Sequence, residues 1–446
     1  MKYKDKKVLV CGMGKSGISA ARLLLHHGAA VTLADSKDAP SIDADLLQNS
    51  YISTYFGKNP DEIVSDFDIL VLSPGISVNA PFVAKARAAG VTIIGEIELA
   101  SIVCAAPIIA ITGTNGKTTT TSMVGEIMRD FTGGTSHVVG NIGIPFCDMA
   151  ESIDAKAFVT AEISSFQLET IANFRPKISA VLNMTEDHLD RHITMEQYIA
   201  AKERIFENQT AEDFCILNYD NDITRKMSEK TAAQVVFFSK QPLDEGIFVM
   251  GDAIHIKWGD HSGEIVKIAD LSAHMENAMA AAAMAAAAGV PMDTIAASLR
   301  NFRAVPHRLE FIRELQGVRF YNDSKATNVG STIHGIDAMT RPIILIGGGQ
   351  PKGQDFADLI KHFDKNVNSF IIMGEATELL VNACKANNFA DFAVANGLHN
   401  AVEMAVSKAT NGDCVLLSPA CASMDMFDNF EHRGNAFKEI VMKLPE

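Results

Sequence analysis

The stretch Ile108 to Thr121, IIAITGTNGKTTTT, constrains the fold more than any other part of the chain. An apolar run reads as a buried strand, glycines at 113 and 116 break it, and Lys117 followed by four threonines opens a helix. A strand, a glycine turn and a helix start, in that order, aim backbone N–H groups and the positive helix end at phosphate oxygens. Gly113, Thr114, Asn115 and Gly116 form the loop, Lys117 adds a cation, Thr118 offers a hydroxyl to Mg2+, and Thr119 continues the hydroxyl run. Ile111 stands five before Gly116, where the general P-loop spacing has glycine. Lysine and consecutive threonines serve packing poorly, so the stretch reads as a site for a nucleoside triphosphate.

Short apolar runs alternate with helical patterns along all 446 residues, which predicts an α/β chain of parallel sheets. At about 150 residues per domain the length suggests three domains. The expected boundaries give a Rossmann-like N-terminal domain over 1–95, a P-loop ATPase domain over 96–303 and a Rossmann-like C-terminal domain over 304–446. Strands are expected at 8–10, 69–72 and 91–94; at 108–111, 157–160 and 179–182; and at 343–346, 370–373 and 414–417. The formal charge of −15 argues against a nucleic-acid surface or an anionic membrane, but not against an anionic small substrate held by local lysines. Seven cysteines without a CxxC pair fit neither a disulfide framework nor a zinc ribbon, and suit a reducing cytosol. MKYKDKKVLV lacks the apolar segment of an export signal, and Ala278 to Val290 is too short to span a bilayer.

In the first block, Gly12, Gly14 and Gly17 match GxGxxG between a strand and a helical pattern, and Asp35 lies 18 positions beyond Gly17. Alone this spells a dinucleotide site, but the physics is recognition of a diphosphate joined to a ribose, which a UDP-sugar also offers. Gly14, Lys15, Ser16, Gly17, Asp35 and Ser73, the last at a strand end, are the candidate contacts.

In the middle block Glu162 and His188 each follow a strand and are expected to converge on the P-loop edge. Glu162 and Thr118 suit Mg2+, whereas His188 would be an unusual partner for that ion. Glu186, Asp187 and Asp190 read as a solvated acidic loop. Tyr198, Lys202 and Phe206 share a helix face; a lysine there usually extends to solvent, and the other reading is a buried lysine of altered charge. In the last block, Asn322-Asp-Ser-Lys-Ala-Thr-Asn328, Gly347-Gly-Gly-Gln-Pro-Lys352 and Ser418-Pro-Ala-Cys-Ala-Ser423 each follow an apolar strand, where polar turns meet ligands.

The motifs TGTNGKTT, GNIG, EISSFQLE, NMTEDHLDRH, YIAAKERIF, HRLE, YNDSKATN, GGGQPKG and LSPACASMDMFDNFEHRG come in that order. Over essentially its full length the chain resembles the ATP-dependent Mur ligases of peptidoglycan synthesis. The resemblance implies that ATP phosphorylates the carboxylate of UDP-MurNAc-L-Ala in the cytoplasm. The amine of D-glutamate then attacks the acyl phosphate. It also implies that Asn141 and His188 lie beside that acyl phosphate, with Asn141 also at the UDP substrate, and that Glu162 takes Mg2+. Lys202 matches the family's carbamylated lysine, which together with His188 would support a second Mg2+. Asn277, Arg308 and Asp323 match ATP-binding positions, although Met275 stands where the family often has asparagine. Lys325, Thr327, Lys352, Ser423 and Phe430 match positions at D-glutamate, Phe430 through its backbone N–H. The implied enzyme is a monomer with no membrane insertion, whose C-terminal domain closes to keep water from the acyl phosphate.

Overall fold

The computed structural model describes residues 2–271, 274–303 and 306–445. The chain divides into two compact units, residues 1–184 with 196–302, and residues 185–195 with 303–446. The boundary expected at 303/304 abuts residues 304 and 305, which lie outside the described residues.

The first unit contains two sheets. Strands β1 (Lys7–Cys11), β2 (Ala30–Asp35), β3 (Ile52–Phe56), β4 (Ile69–Leu72) and β5 (Thr92–Gly95) are parallel in the order β3-β2-β1-β4-β5. The order reverses between β1 and β4, and that switch point is where an open parallel sheet opens a crevice beyond its strand ends. Leu9, Leu70, Leu72, Phe82 and Val83 form part of the core on one face.

The second sheet uses β6 (Ile108–Thr112), β7 (His137–Gly140), β8 (Val159–Glu162), β9 (Ile178–Val181), β10 (Phe214–Asn218), β11 (Gln234–Ser239), β12 (Gly246–Met250), β13 (Ala253–Trp258) and β14 (His261–Lys267). Its order is β14-β13-β12-β11-β10-β9-β6-β8-β7, so the P-loop strand lies between β9 and β8. From β7 through β12 neighbours are parallel, and β12, β13 and β14 form an antiparallel extension that the sequence reading did not anticipate. The alanine-rich helix Met275–Ala287 is buried from Ala278 through Ala286, small side chains letting its backbone approach its neighbours. Among the described residues no helix is long and apolar enough to cross a membrane, and all seven cysteines are unpaired.

Two acids on the helix Glu96–Val103, which follows the first sheet, reach into the segments around the second. Glu98 accepts the backbone N–H groups of Ala172, Asn173 and Phe174. Glu96 accepts the N–H of Cys147 at 2.6 Å, and burial pushes its carboxyl up to about 7. A raised carboxyl favours the fold fully below its unfolded value near 4.5, and that contribution is lost as pH rises through about 7. The variant Glu96→Gln, which keeps an oxygen for Cys147, is therefore expected to gain on the parent between pH 5 and pH 8, by on the order of 2 kcal/mol. Denaturant unfolding at the two pH values measures this, and an identical stability difference at both would contradict it.

The second unit holds β15 (Glu310–Leu315), β16 (Val318–Asn322), β17 (Ile343–Gly348), β18 (Val367–Met373), β19 (Phe392–Val394) and β20 (Cys414–Leu417) in the order β15-β16-β20-β17-β18-β19. Only the β15–β16 hairpin is antiparallel. Apolar layers cover both faces, with Leu345, Phe370 and Leu416 on one and Ile346, Ile371 and Leu417 on the other. This alternation along single strands is what a parallel sheet buried on both sides requires.

Candidate active site

At the switch point of the first sheet the glycine turn folds tightly on itself. A Cβ on Gly17 would stand 1.9 Å from Gly12 O, so only glycine lets the helix Lys15–His26 start there. Ser73 Oγ donates to Gly12 O at 2.7 Å, tying the β4 end to the β1 end. The Asp35 carboxylate accepts the backbone N–H groups of Met13 and Lys37, bracing the turn. Beside them opens a pocket of about 140 Å³ lined by Gly12, Asp35, Lys58, Asn59, Ile76 and Phe82, among others. Gly14 has open space above it.

At the end of β6 the chain turns through Gly116, whose φ of 82° is left-handed, into the helix Lys117–Phe131. A Cβ there would meet Asn277 Oδ1 at 2.3 Å, and the same oxygen accepts from Thr120 Oγ1. Lys117 Nζ donates to Gly113 O at 2.9 Å and Thr114 O at 2.7 Å, so the ammonium lies against its own loop. Thr118 Oγ1 donates to Glu162 Oε2 at 2.7 Å, and Asn141 Nδ2 donates to Glu162 Oε1 at 2.8 Å. The ends of β6, β7 and β8 thus bring together Thr118, Asn141 and Glu162. Their hydroxyl and carboxylate oxygens are hard donors of the kind Mg2+ prefers, and the P-loop leaves no room for a side chain at Gly116. Among the described residues no three His, Cys, Asp or Glu side chains gather as a metal-binding group.

Lys202 does not extend to solvent. It is 1% exposed, lies 4.9 Å from the centre of the Tyr198 ring, and donates to Thr112 Oγ1 and Gly113 O behind the P-loop. Tyr198 Oη in turn is 3.3 Å from Thr114 Oγ1. The helix Met195–Glu203 gives way to a 3-10 turn over Arg204–Phe206, so Tyr198 and Lys202 share an α-helical face that Phe206 no longer extends.

In the second unit Asp323 is fully buried at the end of β16. It accepts from Ser418 Oγ and Leu309 N, and burial pushes its carboxyl up to about 6 against the opposing Arg308 charge. Lys325 Nζ lies 5.0 Å from the centre of the Phe430 ring, at the start of the helix Phe430–Lys443. Lys352 Nζ donates to Thr327 Oγ1 at 3.4 Å, and Ser423 is buried in the turn after β20. His188, at φ 54°, sits in the segment 185–195 that groups with this unit, whereas Glu162 belongs to the first. Its neighbour Asp187 is no solvated charge: the side chain is 7% exposed, accepts from Asn328 Nδ2 at 2.9 Å, and lies 3.8 Å from Lys352 Nζ. Glu186 is exposed as expected, and the Asp190 side chain is outside the described residues.

Arg433 escaped the sequence reading. It is fully buried and donates to Ser324 Oγ, Ser324 O, Cys421 O and Ala422 O, clamping the turn after β16 to the turn after β20. Burial pulls its guanidinium down to about 10. Arginine four residues after the capping Asn429 was its only sequence signal, and surface arginines share that position.

A P-loop that carries lysine and threonine to a carboxylate at the neighbouring strand end defines a nucleoside-triphosphate-using α/β enzyme. The chain belongs to the Mur ligase family. Residues 6–95 match the Mur ligase MurD-like N-terminal domain, 111–285 the Mur ligase middle domain, and 307–421 the Mur ligase glutamate ligase domain. The chain is 45% identical over 454 residues to UDP-N-acetylmuramoylalanine–D-glutamate ligase of Alkaliphilus oremlandii, covering 100% of both chains. It is 43% identical over 453 residues to the enzyme of that name from Clostridioides difficile, again covering 100% of both. In fold it is similar to MurF of Acinetobacter baumannii, with a TM-score of 0.62 at 14% identity, covering 99% of this chain and 91% of that one. It is also similar to MurC of Thermotoga maritima, with a TM-score of 0.60 at 17% identity, covering 98% and 99%.

Proposed function

We propose that the chain joins D-glutamate to UDP-N-acetylmuramoyl-L-alanine in an ATP-driven ligation, as a step of peptidoglycan precursor synthesis. The observation that carries the phosphoryl chemistry is the contact of Thr118 and Asn141 with Glu162 at the P-loop edge. Full-length likeness to the D-glutamate ligases supports the choice of substrates.

In this reading the carboxylate oxygen of the alanyl group attacks the γ-phosphorus of ATP. The bond to the β-phosphate oxygen breaks and ADP leaves. The D-glutamate amine then attacks the acyl carbon, loses a proton, and phosphate departs with the C–O bonding pair. Gly113 to Thr119 hold the triphosphate, and Lys117 leaves the loop carbonyls for the phosphate oxygens as charge shifts during transfer. Asn141 orients Glu162 and meets the acyl phosphate. Thr118 and Glu162 would hold Mg2+, which would supply positive charge against the phosphate oxygens. Lys202, buried against Tyr198, is our candidate for carbamylation, since a carbamate would turn a buried cation into an oxygen ligand for a second Mg2+, with His188 as its further partner. Asn277, Arg308 and Asp323 take the rest of ATP.

The glycine turn with Lys15, Ser16, Asp35 and Ser73 receives the UDP moiety. Lys325 and Lys352, with Thr327, Ser423 and the Phe430 N–H, suit a substrate with two carboxylates. We assign these tasks to domains 1–95, 96–303 and 304–446, in a cytoplasmic monomer. Phosphate release with ATP, UDP-N-acetylmuramoyl-L-alanine and a panel of amino acids tests the reading. Strict dependence on D-glutamate is expected, and release indifferent to the amino acid would reject it.

A further inference from the structure

We infer that Asn183, at the end of β9, is a positioning residue that sets the shape of the P-loop and so the affinity for nucleotide. The inference rests on the ATP-binding reading above and adds to it a residue outside the loop. Asn183 Oδ1 accepts the backbone N–H of Asn115 at 2.8 Å, and its Nδ2 donates to the backbone C=O of the same residue at 3.1 Å. One side-chain amide therefore holds both polar groups of a P-loop residue 68 positions away, as a paired strand would. The backbone joins in: Thr114 N donates to Asn183 O and Leu182 N donates to Thr112 O, both at 3.0 Å. A Cβ on Gly113 would stand 3.1 Å from Leu182 Cβ, so loop and strand end are flush.

The strut itself is anchored. Asn218 Nδ2 donates to Leu182 O and Asn221 Nδ2 donates to Met184 O, so the carbonyls of 182, 183 and 184 are all engaged within the first unit. Beyond Met184 the chain passes into the segment 185–195 of the other unit. Asn183 thus lies one residue before the end of a fixed stretch, where the chain changes units.

The consequence concerns which amides can meet an anion. With Thr114 N and Asn115 N turned to Asn183, these two residues shape the loop, while the amides from Gly116 onward, at the start of the helix Lys117–Phe131, are placed to meet an anion. Without the carboxamide, the Asn115 peptide can rotate and the loop loses its preorganised form. The full chain carrying Asn183→Ala is expected to bind ADP at least about tenfold more weakly by calorimetry. Its affinity for UDP-N-acetylmuramoyl-L-alanine should stay within about twofold and its nucleotide-free melting temperature within about 3 °C. ADP affinity equal to the parent's, or equal losses for both ligands, would overturn the inference. Should the alanine chain not fold, Asn183→Asp decides. It keeps the acceptor for Asn115 N–H but sets an oxygen against Asn115 O, and must also bind ADP more weakly; parental affinity overturns the inference. A parent that binds no ADP would sink the ATP-binding reading, whereas variants that match a binding parent sink this inference alone.

Discussion

The Lys117→Ala enzyme is expected to lose acyl-phosphate formation by on the order of a thousandfold while keeping its fold. The reason lies in what the ammonium does in each state. It donates to Gly113 O and Thr114 O, carbonyls of its own loop within four residues, so removing these bonds costs local contacts that water can replace. In phosphoryl transfer it would follow charge moving onto the bridging and terminal oxygens, inside a site whose threonines at 118, 119, 120 and 121 are all buried. A preorganised cation there is worth several kcal/mol that neither water nor a neighbouring lysine supplies. Lys202 cannot substitute, because it is fixed behind the loop by Thr112 and Gly113. Trapping the acyl phosphate with hydroxylamine reads the chemical step directly. Near-parental hydroxamate yield from the alanine enzyme would remove Lys117 from the mechanism, and collapse of the fold would show its role to be structural.

What the sequence disclosed and withheld follows from the range of the interactions. The P-loop was legible because everything that shapes it is local: strand, glycines and helix start lie within one short stretch, and Gly116 takes the left-handed turn glycine favours. The core strands at 69–72 and 414–417 were legible because apolar runs bounded by turns leave few alternatives. The antiparallel extension was missed despite a signal, since Gly251-Asp252 and Gly259-Asp260 are two-residue hairpin turns between β12, β13 and β14. Asp187 was hidden, and the burial of Lys202 stood only as one of two readings, for a different reason. Charge on a helix or in a turn looks solvated until a distant partner is known, and Asp187 meets Asn328 from 141 residues away. The same holds for Asn183 and Arg433, whose meaning resides in which backbone carbonyls and amides the fold brings to them.

Glu98→Ala carries the largest expected cost to stability, about 3–5 kcal/mol. Glu98 is 1% exposed and its carboxylate accepts from Ala172 N, Asn173 N and Phe174 N at 2.9 Å each. Three consecutive amides pointing at one anion form a nest that alanine leaves empty, stranding donors where water has little access. Glu98→Gln retains one good acceptor but sets its amide NH2, a donor, against those N–H groups, so it should fall between parent and alanine. The effect should be local before it is global. Hydrogen exchange at Ala172, Asn173 and Phe174 should accelerate first, because these amides lead directly into Ile178–Val181 and so to the strand end that holds the P-loop. It follows that the helix Glu96–Val103 is fastened to the segment leading into the central sheet through the Glu98 carboxylate, beside the Glu96–Cys147 bond and apolar packing. An alanine variant with parental denaturant stability and unchanged exchange at 172–174 would refute the assignment and leave the attachment to Glu96 and to the packing of Ile97, Leu99 and Ala100.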